Sequence, residues 1–260
     1  MNFLSNSIYD FISRIPSYLI SLPAVLIALS FHEMCHAYAA YRLGDPTAKN
    51  LGRMTLNPAK HFDPIGFICM LFFRIGWAKP VPINSRNFKN PRRDMAISSL
   101  AGPLSNVFLA IVFVVVLRLA LIPISAVFEN DVQAILRAAF TGSAYAVSGG
   151  FTFVAVLIYM LYAGVVLNLS YALFNLIPIP PWDGSRVFYV FLPTKWYFGI
   201  MKYERIIMIV MLILLWTGIL TVPLSIGVEF LSDCLFRITG MQNVNGELYS
   251  ILYHISQGLM

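Results

Sequence analysis

The sequence predicts an α-helical protein that crosses a membrane several times. Three observations carry this. Of the 260 residues, 58% are hydrophobic and only 12% are charged, about half the charged share of an average soluble domain. The mean hydropathy is +0.74. The apolar residues gather into stretches that each approach or exceed the roughly 20 residues needed to cross a bilayer as a helix. This composition excludes a soluble enzyme, a disordered chain and a disulfide-rich secreted module. The three cysteines, Cys35, Cys69 and Cys234, are too few and too scattered for a disulfide framework. No basic cluster interleaved with aromatics points to nucleic acid.

Four spans are expected, at residues 18–41, 95–122, 151–177 and 206–228. Before the first, Phe3, Leu4, Ile8, Phe11, Ile12 and Ile15 recur at helical spacing, which reads as an interfacial helix over 1–17. A similar pattern runs from Phe128 to Ala139. Residues 231–260 read as an amphipathic tail behind a core of 1–230. The run Ile65–Trp77 is apolar but short, and it contains Arg74. It suggests a re-entrant piece, flanked by extended segments at Leu51–Pro58 and Ala78–Asn84 that suit a hairpin-like sheet at the membrane. Those segments are also candidates to receive an unwound peptide strand.

Charge sets the orientation. Ten Lys or Arg fall within residues 42–93 and four within 179–205, whereas the 123–150 loop and the chain after 228 hold one each. Positive charge favours the cytoplasmic side. The two basic loops are therefore expected inside and both termini outside, which puts the ends of the first and third spans at one cytoplasmic depth.

The sharpest local signal is His32-Glu33-Met34-Cys35-His36, an HExxH motif. Two His four apart on a helix differ by about 40° around the axis, so both imidazoles can grip one metal. The Glu between them is placed to take a proton from a water which that metal activates. Ionisable groups inside an apolar span are costly, which favours function over a polar cluster that merely packs between helices. A catalytic zinc takes three protein ligands and leaves one position open. The third must come from the same depth, where the third span runs into Asn175-Leu176-Ile177-Pro178-Ile179-Pro180-Pro181-Trp182-Asp183-Gly184. Prolines lack the N–H donor and clash with the preceding turn, so the chain unwinds there and Asp183 can fold back toward the two His. The competing reading is that Asp183 only caps the next segment.

These residues resemble the site-2 protease family of intramembrane zinc metallopeptidases. HExxH stands at His32–His36, the NxxPxPPxDG signature at Asn175–Gly184, and the family's AGPxxN element at Ala101–Asn106, within a resemblance covering about residues 20–230. The resemblance implies one zinc per chain on His32, His36 and Asp183, with Glu33 as general base. It also implies hydrolysis of a peptide bond within or beside the transmembrane segment of a single-span membrane protein. The chain resembles the minimal form of the family, without PDZ or CBS domains; a homo-oligomer is allowed. Asn106 is a candidate for binding substrate or an oxyanion, or for joining helices; Asn175 is a candidate site residue or a cap on freed carbonyls. His61 and Trp182 read as interfacial, and Gly102 as a point of close helix approach. Two other readings compete: a noncatalytic scaffold of the same fold, and a metal or proton transporter. Against the transporter stands the lack of an inverted repeat.

Overall fold

The computed structural model describes residues 2–64, 66, 78–127, 150–193, 199–200 and 202–241. Seven α-helices are described: α1 (Asn2–Arg42), α2 (Thr47–Asn50), α3 (Pro91–Val127), α4 (Gly150–Asn175), α5 (Asp183–Tyr189), α6 (Glu204–Trp216) and α7 (Thr221–Ile238). There is no strand among the described residues. Three helical stretches are long and apolar enough to cross a membrane: Tyr18–Arg42, Pro91–Pro123 and Phe153–Asn175. The chain is a multi-pass helical membrane protein.

Each of these three helices follows from its sequence. In α3, Pro91 opens the helix, where its missing N–H costs nothing, and Asp94 Oδ2 accepts from Asn90 N at 3.0 Å, satisfying the amide that precedes the first turn. Further on, Leu104, Phe108, Ile111, Val115, Leu119 and Ile122 are exposed at steps of three and four. Such an apolar stripe suits lipid and would be costly in water. The opposite face, with Ala110, Val114, Leu117 and Leu121, is buried. In α1, Pro23 stands inside the helix; lipid-embedded helices tolerate this because local adjustments re-satisfy the freed carbonyl.

The chain divides into two compact units. Of the described residues, one holds 2–25, 109–127, 150–167 and 229–241. Its core contains Val114, Leu117, Ile158 and Val165, and the rings of Tyr162 and Phe236 stack with centroids 6.2 Å apart. The other holds 26–64, 66, 78–108, 168–193, 199–200 and 202–228, and carries every candidate site residue.

Several expectations need correction or refinement. Of the proposed interfacial stretch 1–17, residues 2–17 are helical and continuous with the first span, so α1 has 41 residues. The expected fourth span at 206–228 is interrupted. The α6 helix has 13 residues, about 20 Å at 1.5 Å per residue, and ends where Thr217 N donates to Ile213 O. Gly218 then takes φ +79°, a left-handed conformation that glycine adopts at little cost. The flanking segments 51–58 and 78–84 form no ladder: Lys79 N donates to His61 O, beyond the first segment, at 2.9 Å, and the Arg53 side chain reaches Lys79 O at 2.7 Å. Most of the Ile65–Trp77 run and the Phe128–Ala139 pattern lie outside the described residues, as does most of the 231–260 tail.

Candidate metal centre

His32 and His36 occupy the last third of α1, and both are buried. Their rings meet edge to face at 4.5 Å between centroids. The Nε2 atoms lie 2.9 Å apart, and Asp183 Oδ2 lies 3.1 Å from each. Asp183 arrives as the sequence suggested. The α4 helix ends at Asn175, and after Ile177 N donates to Phe174 O the prolines prevent further helical bonding. The chain crosses Trp182 in extended conformation and restarts at Asp183. Asp183 is thus the first residue of α5, and its side chain serves the two His, not a helix cap. Gly184 permits this return: a Cβ there would overlap the carbonyls of Leu176 and Ile177. Trp182, expected as an interfacial anchor, is buried with its ring against Phe174 at 4.6 Å between centroids.

The second nitrogen of each imidazole is also held. His36 Nδ1 donates to the backbone oxygen of Ser98 at 2.7 Å, and His32 Nδ1 lies 2.6 Å from Asn106 Oδ1. With a proton on each Nδ1, both Nε2 atoms present lone pairs. Two lone pairs and a carboxylate oxygen therefore converge, an arrangement that repels itself without a cation. Three donors at about 2.0–2.1 Å from a tetrahedral zinc stand about 3.3 Å apart, close to the separations here. The donor set and its outer hydrogen bonds fit zinc.

The helix that packs on these His does so through residues four apart. Ser98, Gly102 and Asn106 share one face of α3. A Cβ on Gly102 would overlap the rings of both His36 and His32, so only glycine lets the helix come this close. Ser98 Oγ also donates to His36 O at 3.2 Å.

Glu33 is buried, and its Oε2 accepts the backbone N–H of Val81 at 2.8 Å. Val81 is seated with Ala37 and Ala48 in a small apolar cluster. Asp45, just past α1, secures the same segment. It is fully buried and accepts from Asn84 N and Asn87 Nδ2, each at 2.7 Å, and from Thr47 N at 3.1 Å. Burial raises its pKa, yet these hydrogen bonds lower it by more, so the carboxylate stays below its ordinary range. The Asp45 and Val81 contacts escape sequence reading because their partners lie 39–48 residues away along the chain.

The remaining candidates fall less centrally. Asn106 is fully buried, with Oδ1 at His32 and Nδ2 donating to Asn168 Oδ1 at 2.9 Å. Asn175 Nδ2 donates to Tyr171 O at 3.0 Å, the helix-end contact weighed against a site role. Cys35 is half-buried and does not join the donor cluster. His61, expected at the interface, is buried and donates from Nε2 to Thr55 O at 2.8 Å.

A helical membrane protein holding two His and one Asp in this way is a membrane-embedded metallopeptidase in architecture. Residues 20–218 match the profile of peptidase family M50, and the chain belongs to that family, the site-2 protease family; it is a zinc metallopeptidase. It is 37% identical over 183 residues to "Putative zinc metalloprotease YwhC" of Bacillus subtilis, a match covering 69% of this chain and 71% of that protein. It is 29% identical over 169 residues to "Putative zinc metalloprotease Rip2" of Mycobacterium tuberculosis, covering 61% and 52%. The Rip2 of Mycolicibacterium smegmatis is 29% identical over 125 residues, covering 46% and 48%. No solved structure matches the chain.

Proposed function

We propose that the protein hydrolyses a peptide bond within or beside the transmembrane segment of a single-span membrane protein, as in regulated intramembrane proteolysis. The observation that carries this is the position of the His32, His36 and Asp183 cluster: two of its three members sit on a helix long and apolar enough to span. His32, His36 and Asp183 hold the zinc and Glu33 is the general base. When bound there, zinc supplies a Lewis acid that acidifies water and polarises the scissile carbonyl. Glu33 accepts a proton from the attacking water and returns it to the leaving amine. The Val81 N–H on Oε2 fixes the carboxylate for that transfer. Asp183 holds the unwound 176–182 segment against the His pair, so a break in the third span borders the site, and water enters there from the cytoplasm. The 1–230 stretch forms the enzyme's core with 231–260 as an amphipathic tail; α6 and α7 together make a fourth crossing, and the Ile65–Trp77 run is re-entrant.

The orientation rests on the basic loops, which place the site near the cytoplasmic face and both termini outside. Single cysteines introduced at Lys89 and Asn245 report on this with a membrane-impermeant reagent in intact cells. Label is expected at position 245 and not at 89; the reverse pattern inverts the topology.

A helical substrate amide is hydrogen-bonded within its own helix, so the helix must open before it is cut. Gly or Pro near the scissile bond lowers that cost, by about 1 kcal/mol for Gly and about 3 kcal/mol for Pro relative to Ala. Cleavage of single-span substrates by the purified enzyme in detergent, matched for expression and insertion, is therefore expected to rise with such residues and fall with strong helix formers. Flat rates across the series rule out helix opening as the limiting step. Undiminished cleavage of substrates lacking the transmembrane segment identifies the protein instead as a peptidase of soluble chains.

A further inference from the structure

The two zinc-facing histidines are held in unlike ways. His36 Nδ1 meets a backbone carbonyl, Ser98 O, at 2.7 Å. That oxygen is part of helix α3, can only accept, and cannot exchange places with a donor. His32 Nδ1 meets a carboxamide, Asn106 Oδ1, at 2.6 Å. A carboxamide is ambiguous: rotation by 180° about its last bond puts an NH2 where the oxygen was. The rotated form would demand a lone pair on His32 Nδ1. The proton would then sit on Nε2, pointing at His36 Nε2 and Asp183 Oδ2, 2.9 and 3.1 Å away, where a metal has to be.

What holds the amide in the useful sense is a pair of acceptors, Asn168 Oδ1 at the shorter distance and Ala28 O. Asn106 Nδ2 donates to Asn168 Oδ1 at 2.9 Å and more weakly to Ala28 O at 3.4 Å. If the Asn106 amide rotated, its oxygen would face Ala28 O, a backbone carbonyl that can only accept, and Asn168 Oδ1, which could become a donor only by rotating as well. Asn106 and Asn168 are each 0% exposed, so no water can compensate, and an unsatisfied amide there is costly.

We propose that Asn168 is a positioning residue of the zinc site. Acting through Asn106, it selects the His32 tautomer that carries its proton on Nδ1 and turns the Nε2 lone pair toward the metal. This rests on the zinc peptidase reading, and it makes Asn106 and Asn168 a two-amide relay from α4 through α3 to α1.

The test uses the full-length protein purified in detergent and stripped of metal. Zinc affinity is measured by competition with a chromophoric chelator, and the visible spectrum is recorded with cobalt in place of zinc. Asn168→Leu removes one of the acceptors that lock the amide and is expected to weaken zinc binding by about 10-fold, the low end of the cost of losing a direct outer partner of a metal ligand, because it acts one residue further out, with an altered cobalt spectrum. Asn106→Asp offers acceptors in either orientation and needs no lock. Its second oxygen faces Ala28 O and Asn168 Oδ1, so its affinity is expected to fall below that of the parent, and Asn168→Leu added to it, which removes one of those opposing acceptors, is expected to cost less than threefold further. A purely structural role for Asn168 would not be rescued in this way. Unchanged affinity in Asn168→Leu, or equal losses in the presence and absence of Asn106→Asp, overturns the relay while leaving the zinc site standing. A parent protein that binds no zinc overturns both.

Discussion

Replacing Glu33 with Gln is expected to leave zinc bound and to reduce turnover by about a thousand-fold or more, equivalent to about 4 kcal/mol of transition-state stabilisation. The amide has nearly the shape of the carboxylate, and its oxygen can still accept the N–H that Val81 directs at Oε2, so the local fold should persist. It cannot accept a proton from water, however, and has none to return to the leaving amine. The measurement is cleavage of a single-span substrate together with metal content on the same preparation. Near-parental cleavage with full zinc would remove Glu33 from the mechanism.

The second large effect is on the metal itself. The His32→Ala/His36→Ala double variant removes two of three converging donors, and elemental analysis is expected to find essentially no zinc, against about one per chain in the parent. Gly102→Ala should approach the same result without touching a ligand, because the added Cβ overlaps both imidazoles and must displace the rings or push α3 away. Retention of full zinc by the double variant would place the metal elsewhere.

Much of this site could be read from spacing. HExxH needs only a helix to bring His32 and His36 together, and the prolines before Asp183 announce where the third span must break. The second set of contacts was harder to read. Ser98, Gly102 and Asn106 keep the same four-residue step as the two His, a match visible in the chain. But nothing in the sequence says that this face of α3 opposes that face of α1, and Asn106 was accordingly balanced between substrate and helix contact. Asn168 shares a face of the third span with Asn175, seven residues on, but nothing in the sequence ties it to Asn106. In the fold, the first three spans follow from hydropathy alone. The break at Thr217–Leu220 does not, because a window average passes over a Thr-Gly pair whose importance is the backbone angle of Gly218. Likewise the 51–58 and 78–84 segments have the composition of strands, yet side chains such as Asp45 take the place of a ladder.

The segment from Lys79 to Pro82 belongs to no helix and has prolines on both sides of Val81. Its composition invites an incoming peptide to lie alongside, yet it has almost nothing to offer one. The Lys79 amide is bound to His61 O and the Val81 amide to Glu33, while Pro80 and Pro82 have no amide hydrogen to give. The carbonyls of Lys79 and Pro80 are covered by the Arg53 guanidinium at 2.7 and 3.3 Å. Over four residues, every donor is absent or taken, as are half the acceptors. This stretch offers an incoming strand no amide donor, much as natural sheets blunt their edges against unwanted partners. It braces Glu33 through the Val81 amide, so an extended chain laid alongside would find its own carbonyls without a partner here.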